Sequence, residues 1–477
     1  MKVLHVSAEL YPLVKVGGLA DVMGALPQAL KALGVDVRIL MPGFPGVMNG
    51  IRIEGEAGQI SGLPGVGEAR LLHGRTPADI PIYVLDIPTF YNRPGGPYEE
   101  SGDSHLKFAA LSWAAAQLGL HGDRAHWKPT IVHCHDWQSG LAPAYLALSG
   151  LPRPATVLNI HNLAYQGIYP STFLKQLQLP PAAFHMEGVE FMGNINFLKA
   201  GLAYADRIVT VSPTYAQEIQ RPEWGWYLEG LLTRRAKDLV GILNGADYEV
   251  WSPARSTHLQ CHYDSARLSG KKICKNLLQR ELGLDENPGT PLFTVISRLA
   301  PQKGLDMVLE NAEYLVSLGA QLALLGTGEP MLEKGFQRAA KACPNQVAVR
   351  VGFDEGLAHR FLAGADALLM PSRQEPCGLT QLYALRFGTL PVVRRTGGLA
   401  DTVVDASPEN LANGTATGFV FGPDSAWVLG ETLGRACELY QQNPRTWTEV
   451  QRRAMKQDFS WKASAGHYLD LYQGLLH

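Results

Sequence analysis

Several short stretches of this chain bring cations, carboxylates, histidines and glycines together in patterns that suit anion and sugar chemistry. Lys15-Val16-Gly17-Gly18-Leu19 lies just ahead of a predicted helix. Its glycines let backbone N–H groups approach an anion closely, the helix start adds its positive dipole end, and Lys15 adds a full charge. The same residues also suit an ordinary strand-to-helix turn with a surface lysine. No Gly-Lys-Ser/Thr follows, and the spacing is not G-x-G-x-x-G, which counts against a Walker loop and a nicotinamide site. In Ser297–Gly304, Arg298 falls just past a predicted buried strand and Lys303 opens the next helix. Two cations there could neutralise a departing diphosphate; the bland alternative is a solvated surface pair. In Glu375-Pro376-Cys377-Gly378-Leu379-Thr380-Gln381 a lone carboxylate precedes a helix start. Glu375 could bind sugar hydroxyls while the amides of Gly378 to Thr380 face phosphate, or it could simply stabilise its own helix.

His133-Cys134-His135-Asp136-Trp137 and His161-Asn162-Leu163-Ala164-Tyr165-Gln166-Gly167 both follow apolar runs and are expected to face one cleft. Zinc held by His133, Cys134 and His135 is disfavoured, because neighbouring strand side chains alternate faces. Histidine and aspartate on a cleft rim suit hydroxyl binding instead. No two aspartates are separated by a single residue, so no D-x-D metal–diphosphate motif exists. Countercharge is then expected from Lys15, Arg298 and Lys303, without a metal and without a cofactor.

These residues need elements that hold them. Val3–Ser7, Asp36–Met41, Thr130–Cys134, Thr156–Ile160 and Arg207–Val211 read as strands, with helices over Leu19–Leu33 and Gly140–Leu148. Ser212-Pro213 is an N-cap followed by proline at the first helical position. The second half alternates more regularly: strands Leu292–Ser297, Gln321–Leu325, Val347–Val351, Ala367–Met370 and Pro391–Arg394, and helices Gly304–Leu318, Met331–Ala342, Gly356–Ala363 and Thr380–Phe387. Such alternation implies α/β architecture with mainly parallel sheet, doubly wound, with ligands at the strands' carboxyl ends. The expected division is residues 1–245, residues 246–457, and a terminal amphipathic segment over 458–477 that packs back on the first domain. The junction is placed near Asn244–Pro253.

The bulk numbers agree. A chain of 477 residues, 46% hydrophobic and 18% charged, can bury two cores. A formal net charge of −2 counts against a nucleic-acid binder held by phosphate contacts. Six cysteines without a C-x-x-C pair suit a reduced, cytoplasmic protein. No apolar run reaches the roughly 18 residues of a membrane span, and no signal or transit segment is expected.

Taken in order along the whole chain, these motifs resemble those of bacterial glycogen synthases and plant starch synthases. The opening Val-Ser-Ala-Glu, Arg395-Thr396-Gly397-Gly398-Leu399 and Asp458-Phe459-Ser460-Trp461 add to the likeness. The resemblance implies a GT-B fold, two Rossmann-like domains facing a deep cleft. It implies retaining transfer of glucose from ADP-glucose to the non-reducing 4-hydroxyl of an α-1,4-glucan such as glycogen, with no cofactor. By carry-over, Arg298 and Lys303 hold the diphosphate, Glu375 sits near the glucose, and Lys15, Gly17 and Gly18 reach the phosphates or donor. Asp136 and His161 place the transferred sugar and acceptor. Glu9, Asp21 and Asn244 match further cleft positions. Phe353 stands where the family usually stacks tyrosine on adenine, and Cys377, Gly378, Leu379, Thr380 and Gln381 match the nucleotide-side loop. Trp137, Asn162 and Tyr165 are sugar- or acceptor-side candidates.

Val16 replaces the family's usual threonine, and Tyr383 stands where related GT-B enzymes often carry a second glutamate. A front-face, ion-pair-like substitution is expected, with no covalent intermediate on Asp136. The rivals are UDP-glucose or a small-sugar acceptor, a nicotinamide dehydrogenase, and a non-catalytic glucan binder. The sequence predicts that the domains close around the donor: small-angle scattering on adding ADP and glucan should show compaction, and an unchanged curve would contradict it.

Overall fold

The computed structural model describes residues 1–99 and 101–476, which form two compact units. One comprises Met1–Gly245 with Trp461–His477, the other Ala246–Ser460. In the first, a sheet runs in the order Leu239–Gly241, Arg207–Thr210, Ala155–Ile160, Ile131–His135, Lys2–Val6, Asp36–Pro42, Pro81–Asp86, Gly67–Arg75, Arg52–Leu63. All pairs are parallel up to Pro81–Asp86, and the last two strands are antiparallel. That antiparallel extension is absent from the sequence reading. Its edge strand, RIEGEAGQISGL, is glycine-rich and breaks register at several points, so it shows neither clean alternation nor strong β-propensity.

The parallel strands are nearly continuous apolar runs because both faces are covered. Helix Gly18–Ala32 buries Leu19, Val22, Met23, Leu26 and Leu30 along one stripe. It ends where Gly34 adopts φ +85°, with Gly34 N–H bonded to Lys31 O at 3.0 Å and Val35 N–H to Leu30 O at 3.1 Å. This left-handed closure needs glycine and turns the chain directly into strand Asp36–Pro42. The terminal helix Trp461–Leu476 inserts Ala465, Tyr468 and Tyr472 into the core formed by Val3, Val22, Leu26, Leu30, Val157 and Val209.

The second unit is a parallel sheet in the order Val347–Val351, Gln321–Gly326, Leu292–Ile296, Ala367–Met370, Leu390–Arg394, Phe419–Phe421. Numbered along the chain this is 3-2-1-4-5-6, the doubly wound Rossmann order. One helix differs from expectation. The apolar stretch 304–318 forms two helices, Leu305–Glu310 and Ala312–Ser317, because the Asn311 amide bonds Met307 O and Ala426 O, each at 2.8 Å.

Each sheet has a switch point, where parallel neighbours lead off to opposite sides, and that is where an open α/β sheet forms its binding crevice. In the first unit the switch lies between Lys2–Val6 and Ile131–His135; in the second, between Leu292–Ile296 and Ala367–Met370.

The first unit closes where Gly245 meets the terminal helix. A Cβ on Gly245 would stand 2.5 Å from Trp461 Cα. Gly245→Ala is expected to destabilise by about 1–3 kcal/mol, read as a lower urea midpoint with unchanged slope.

Candidate active site

In the first unit the loop after strand Lys2–Val6 carries Glu9 and Lys15, and the loop after Ile131–His135 carries Asp136 and Trp137. Glu9 is buried. Its Oε2 accepts the N–H groups of Val16 and Gly17, both at 2.9 Å, and Tyr98 OH donates to Oε1 at 2.6 Å. This changes the expected backbone cradle: two of its amides are already satisfied, and Glu9 braces the loop. Lys15 Nζ donates to Asp21 Oδ1 at 2.7 Å, so Asp21 orients the cation. Gly17 and Gly18 have negative φ, and a Cβ on either would meet nothing within 4 Å. Neither strain nor packing demands glycine there. The clearance suits a group lying against the backbone.

Asp136 is held at φ +55°, ψ −170°, a region that is costly for any residue with a side chain, by about 1–3 kcal/mol. Its Oδ1 accepts the backbone N–H of His161 at 2.7 Å. Burial pushes the carboxyl up to about 7, with Glu9 adding repulsion, while amides of His161 and Asn162 pull the other way. Trp137 packs edge-on against Phe108 and beside Gly167, whose added Cβ would stand 2.2 Å from the indole. It anchors the turn. Asn162 Oδ1 accepts from Ala164 N–H at 3.1 Å and so shapes its own loop, while Tyr165 is 64% exposed. Asn244 is buried with Oδ1 unpartnered among the described residues.

The histidines correct the sequence reading. His133, Cys134 and His135 lie within the strand, not past it. Alternation sends Cys134 to one face and both histidines to the other, where His5 joins them through the His5–His133 register pair. Ring nitrogens of His5, His133 and His135 come within 4.8 Å of one another. His133, Cys134 and His135 therefore do not converge as a trio, as alternation requires, and the group that forms instead takes its third member from the neighbouring strand, His5. His258, Glu355 and His359 form a comparable group in the second unit.

In that second unit Arg298 follows strand Leu292–Ile296 and is exposed, with no ion-pair partner among the described residues. Lys303 ends a short 3-10 turn, Pro301–Lys303, rather than opening the helix. Its Nζ donates to Glu375 Oε2 at 2.6 Å, and Ser372 Oγ donates to the same oxygen at 2.9 Å. The two side chains are only 17% and 10% exposed. Lysine and glutamate therefore form one unit here, leaving Arg298 with the net positive charge. Gly397 and Gly398 pack under the Glu375 loop: Gly398 N–H bonds Glu375 O at 3.2 Å, and a Cβ on Gly397 would stand 2.0 Å from that oxygen. Gly378 adopts φ +71°.

Helix Thr380–Arg386 follows Leu379 without a side-chain cap. Gln381 departs from its expected role. It is fully buried and its amide bonds Cys377 O at 2.9 Å and Thr402 Oγ1 at 3.3 Å, bracing the loop from beneath. Cys377 is buried as well. Phe353 is 85% exposed, an unusual position for a large apolar ring and one suited to stacking. Sequence reasoning missed Ser372, Tyr98 and His5. Tyr98 meets its carboxylate only in space, Ser372 stands three residues before Glu375 without a motif to mark it, and His5 sits inside an apolar strand.

Residues 2–234 match the family described as starch synthase catalytic domain, and residues 281–450 match glycosyl transferases group 1. The chain is 50% identical over 482 residues to the glycogen synthase of Serratia proteamaculans, covering all of both chains. It is 49% identical over 483 residues to that of Paramagnetospirillum magneticum, covering 100% of this chain and 98% of the relative. In structure it is similar to the catalytic domain of starch synthase IV from Arabidopsis thaliana bound to ADP and acarbose, with TM-score 0.87, 31% identity and 99% of each chain covered. A sucrose-phosphate synthase from Thermosynechococcus elongatus, 18% identical with TM-score 0.60, shares the fold.

Asp136 generates a stability prediction. Its ordinary value is near 3.8 and its folded value about 7. Between these the native state holds a proton that the unfolded chain has lost, so this group destabilises the fold as pH rises through that window. Asp136→Asn should therefore gain stability over the native protein from pH 4 to pH 7, by on the order of 2–4 kcal/mol, and level off above. Urea midpoints at pH 4 and pH 8 measure this; a constant gap would contradict the raised carboxyl.

Proposed function

The chain belongs to the glycogen and starch synthase family of glycosyltransferases, and from that membership we propose that it transfers glucose from ADP-glucose to the non-reducing 4-hydroxyl of an α-1,4-glucan, releasing ADP. The observation that carries this reading is the Lys303–Glu375 pair, with Arg298 on the same loop and without an ion-pair partner among the described residues, at the switch point of a Rossmann sheet. A nucleoside diphosphate leaving group carries charge that grows as its bond to glucose breaks. Arg298 is free to meet that charge, and Lys303 can share its remaining N–H donors with the phosphate without leaving Glu375. Preorganised cations of this kind stabilise the transition state more than the ground state.

Glu375 Oε2 is taken by Lys303 and Ser372, which leaves Oε1 for a sugar hydroxyl. Phe353 supplies the exposed aromatic face for adenine, and the loop from Gly378 to Thr380 offers amides on the nucleotide side. In the first unit, Lys15 with Gly17 and Gly18 is assigned to the donor, and Asp136 with His161 to the transferred sugar and acceptor. Asp136, its carboxyl raised to about 7, is partly protonated near neutrality, which weakens it as a nucleophile and supports front-face substitution in which the leaving phosphate takes the acceptor proton.

Nucleotide release is expected to be faster with ADP-glucose than with UDP-glucose and to depend on added glycogen. Release far faster from UDP-glucose would overturn the donor assignment. Glu375→Ala and Lys303→Ala should each lower kcat by about 10²–10³ with the fold intact, and near-native rates in either would refute the site.

A further inference from the structure

Four histidines that the proposed transfer does not all use are linked in the first unit. His161 Nε2 lies 2.9 Å from Asn159 Nδ2 and 3.0 Å from His135 Nδ1. His135 Nε2 lies 2.9 Å from His5 Nδ1. His5 Nε2 lies 3.5 Å from Tyr472 OH, and Tyr472 OH lies 2.6 Å from His133 Nδ1. His5, His133, His135 and Tyr472 are fully buried. Burial holds all four imidazoles neutral, His5 and His161 down at about 3 and the others well below the usual range. Each ring therefore carries one proton, and each bond constrains the next.

The direction of the chain follows from its ends. Asn159 Nδ2 donates to His161 Nε2, so that nitrogen bears no proton, and His135 Nδ1 must be the second donor. His135 Nε2 then accepts from His5 Nδ1, His5 Nε2 accepts from Tyr472 OH, and Tyr472 accepts from His133 Nδ1. The two atoms left over, His133 Nε2 and Asn159 Oδ1, are the ones without partners among the described residues. In this direction both are acceptors. Turning the amide and reversing the bonds would instead bury N–H donors with nothing to receive them, the rarer arrangement in proteins.

We propose that His135, His5 and Tyr472 are positioning residues whose one-way hydrogen-bond chain fixes His161 as the Nδ1–H tautomer, so that it presents a donor to the sugar and never a base. Nδ1 of His161 has no hydrogen-bond partner among the described residues, and the ring is partly exposed. The terminal helix, through Tyr472, thereby reaches the site by way of strands Lys2–Val6 and Ile131–His135. This rests on His161 standing at the sugar.

The test uses the full-length protein, ¹⁵N-labelled, with long-range ¹H–¹⁵N spectra of the imidazoles recorded with and without ADP. The native His161 is expected to be protonated at Nδ1; protonation at Nε2 overturns the proposal. Asparagine at position 135 can place an amide donor near the Nδ1 position, whereas glutamine places its amide near Nε2. His135→Asn should keep kcat within about threefold, while His135→Gln lowers it on the order of tenfold with KM for ADP-glucose nearly unchanged. Equal rates in the two variants overturn the proposal. Should either fail to fold, Tyr472→Phe, which removes only a hydroxyl, should give mixed tautomers at His5 and His133; unchanged spectra there defeat the chain. His161→Ala separates the two readings. Full turnover in that variant refutes the site assignment itself, whereas an inactive variant alongside a native Nε2–H tautomer refutes the chain alone.

Discussion

A parallel sheet buried on both faces leaves polar chemistry one natural place, the loops at the carboxyl ends of its strands, and that constraint organises each unit of this protein. Val3 to Val6 and Leu292 to Val295 are buried apolar runs or their hydrogen-bonded equivalents. The loops that follow them carry Lys15 on one side and Arg298 with Lys303 on the other, and there the chain first reaches solvent. In both sheets the strand order reverses beside those same strands. Ser372 and Glu375 in one unit, and Asp136 in the other, come from the strand on the far side of the reversal. The crevice is thus a product of topology before any catalytic side chain is considered.

Charge within these crevices is held in small, partly neutralised sets. Lys303 with Glu375 and Lys15 with Asp21 hold their lysine ammonium groups in place at modest net charge. A free lysine would sample many rotamers and lose that freedom on binding; a tethered one has already lost it. Arg298 stands apart on its loop without an ion-pair partner among the described residues, and under the proposed function it is the charge left to meet the diphosphate.

The first unit also stores unfavourable energy near its candidate chemistry. Asp136 combines a positive φ with a raised carboxyl, and several buried imidazoles sit beneath it with few partners beyond each other. Such arrangements persist only where the surrounding core over-determines them. Here the terminal helix contributes Tyr468 and Tyr472 to that core, so the last residues of the chain help hold a set that begins with His5.

The sequence alone determined the alternation of strands and helices and the regular second sheet, and it singled out Lys15, Arg298, Lys303 and Glu375 as candidates for chemistry. Apolar periodicity and glycine punctuation are local signals that survive without tertiary context. The glycine-rich antiparallel edge was illegible, because bulges erase alternation, and so was the break at Asn311, whose amide answers to a carbonyl more than a hundred positions away. The division of labour inside the motifs was also hidden. That Glu9 occupies the loop amides, that Gln381 faces inward, and that His5 joins His133 and His135 depend on which side chains meet across strands. Strand register and burial decide those meetings, and neither is written in the spacing of residues along one stretch of chain.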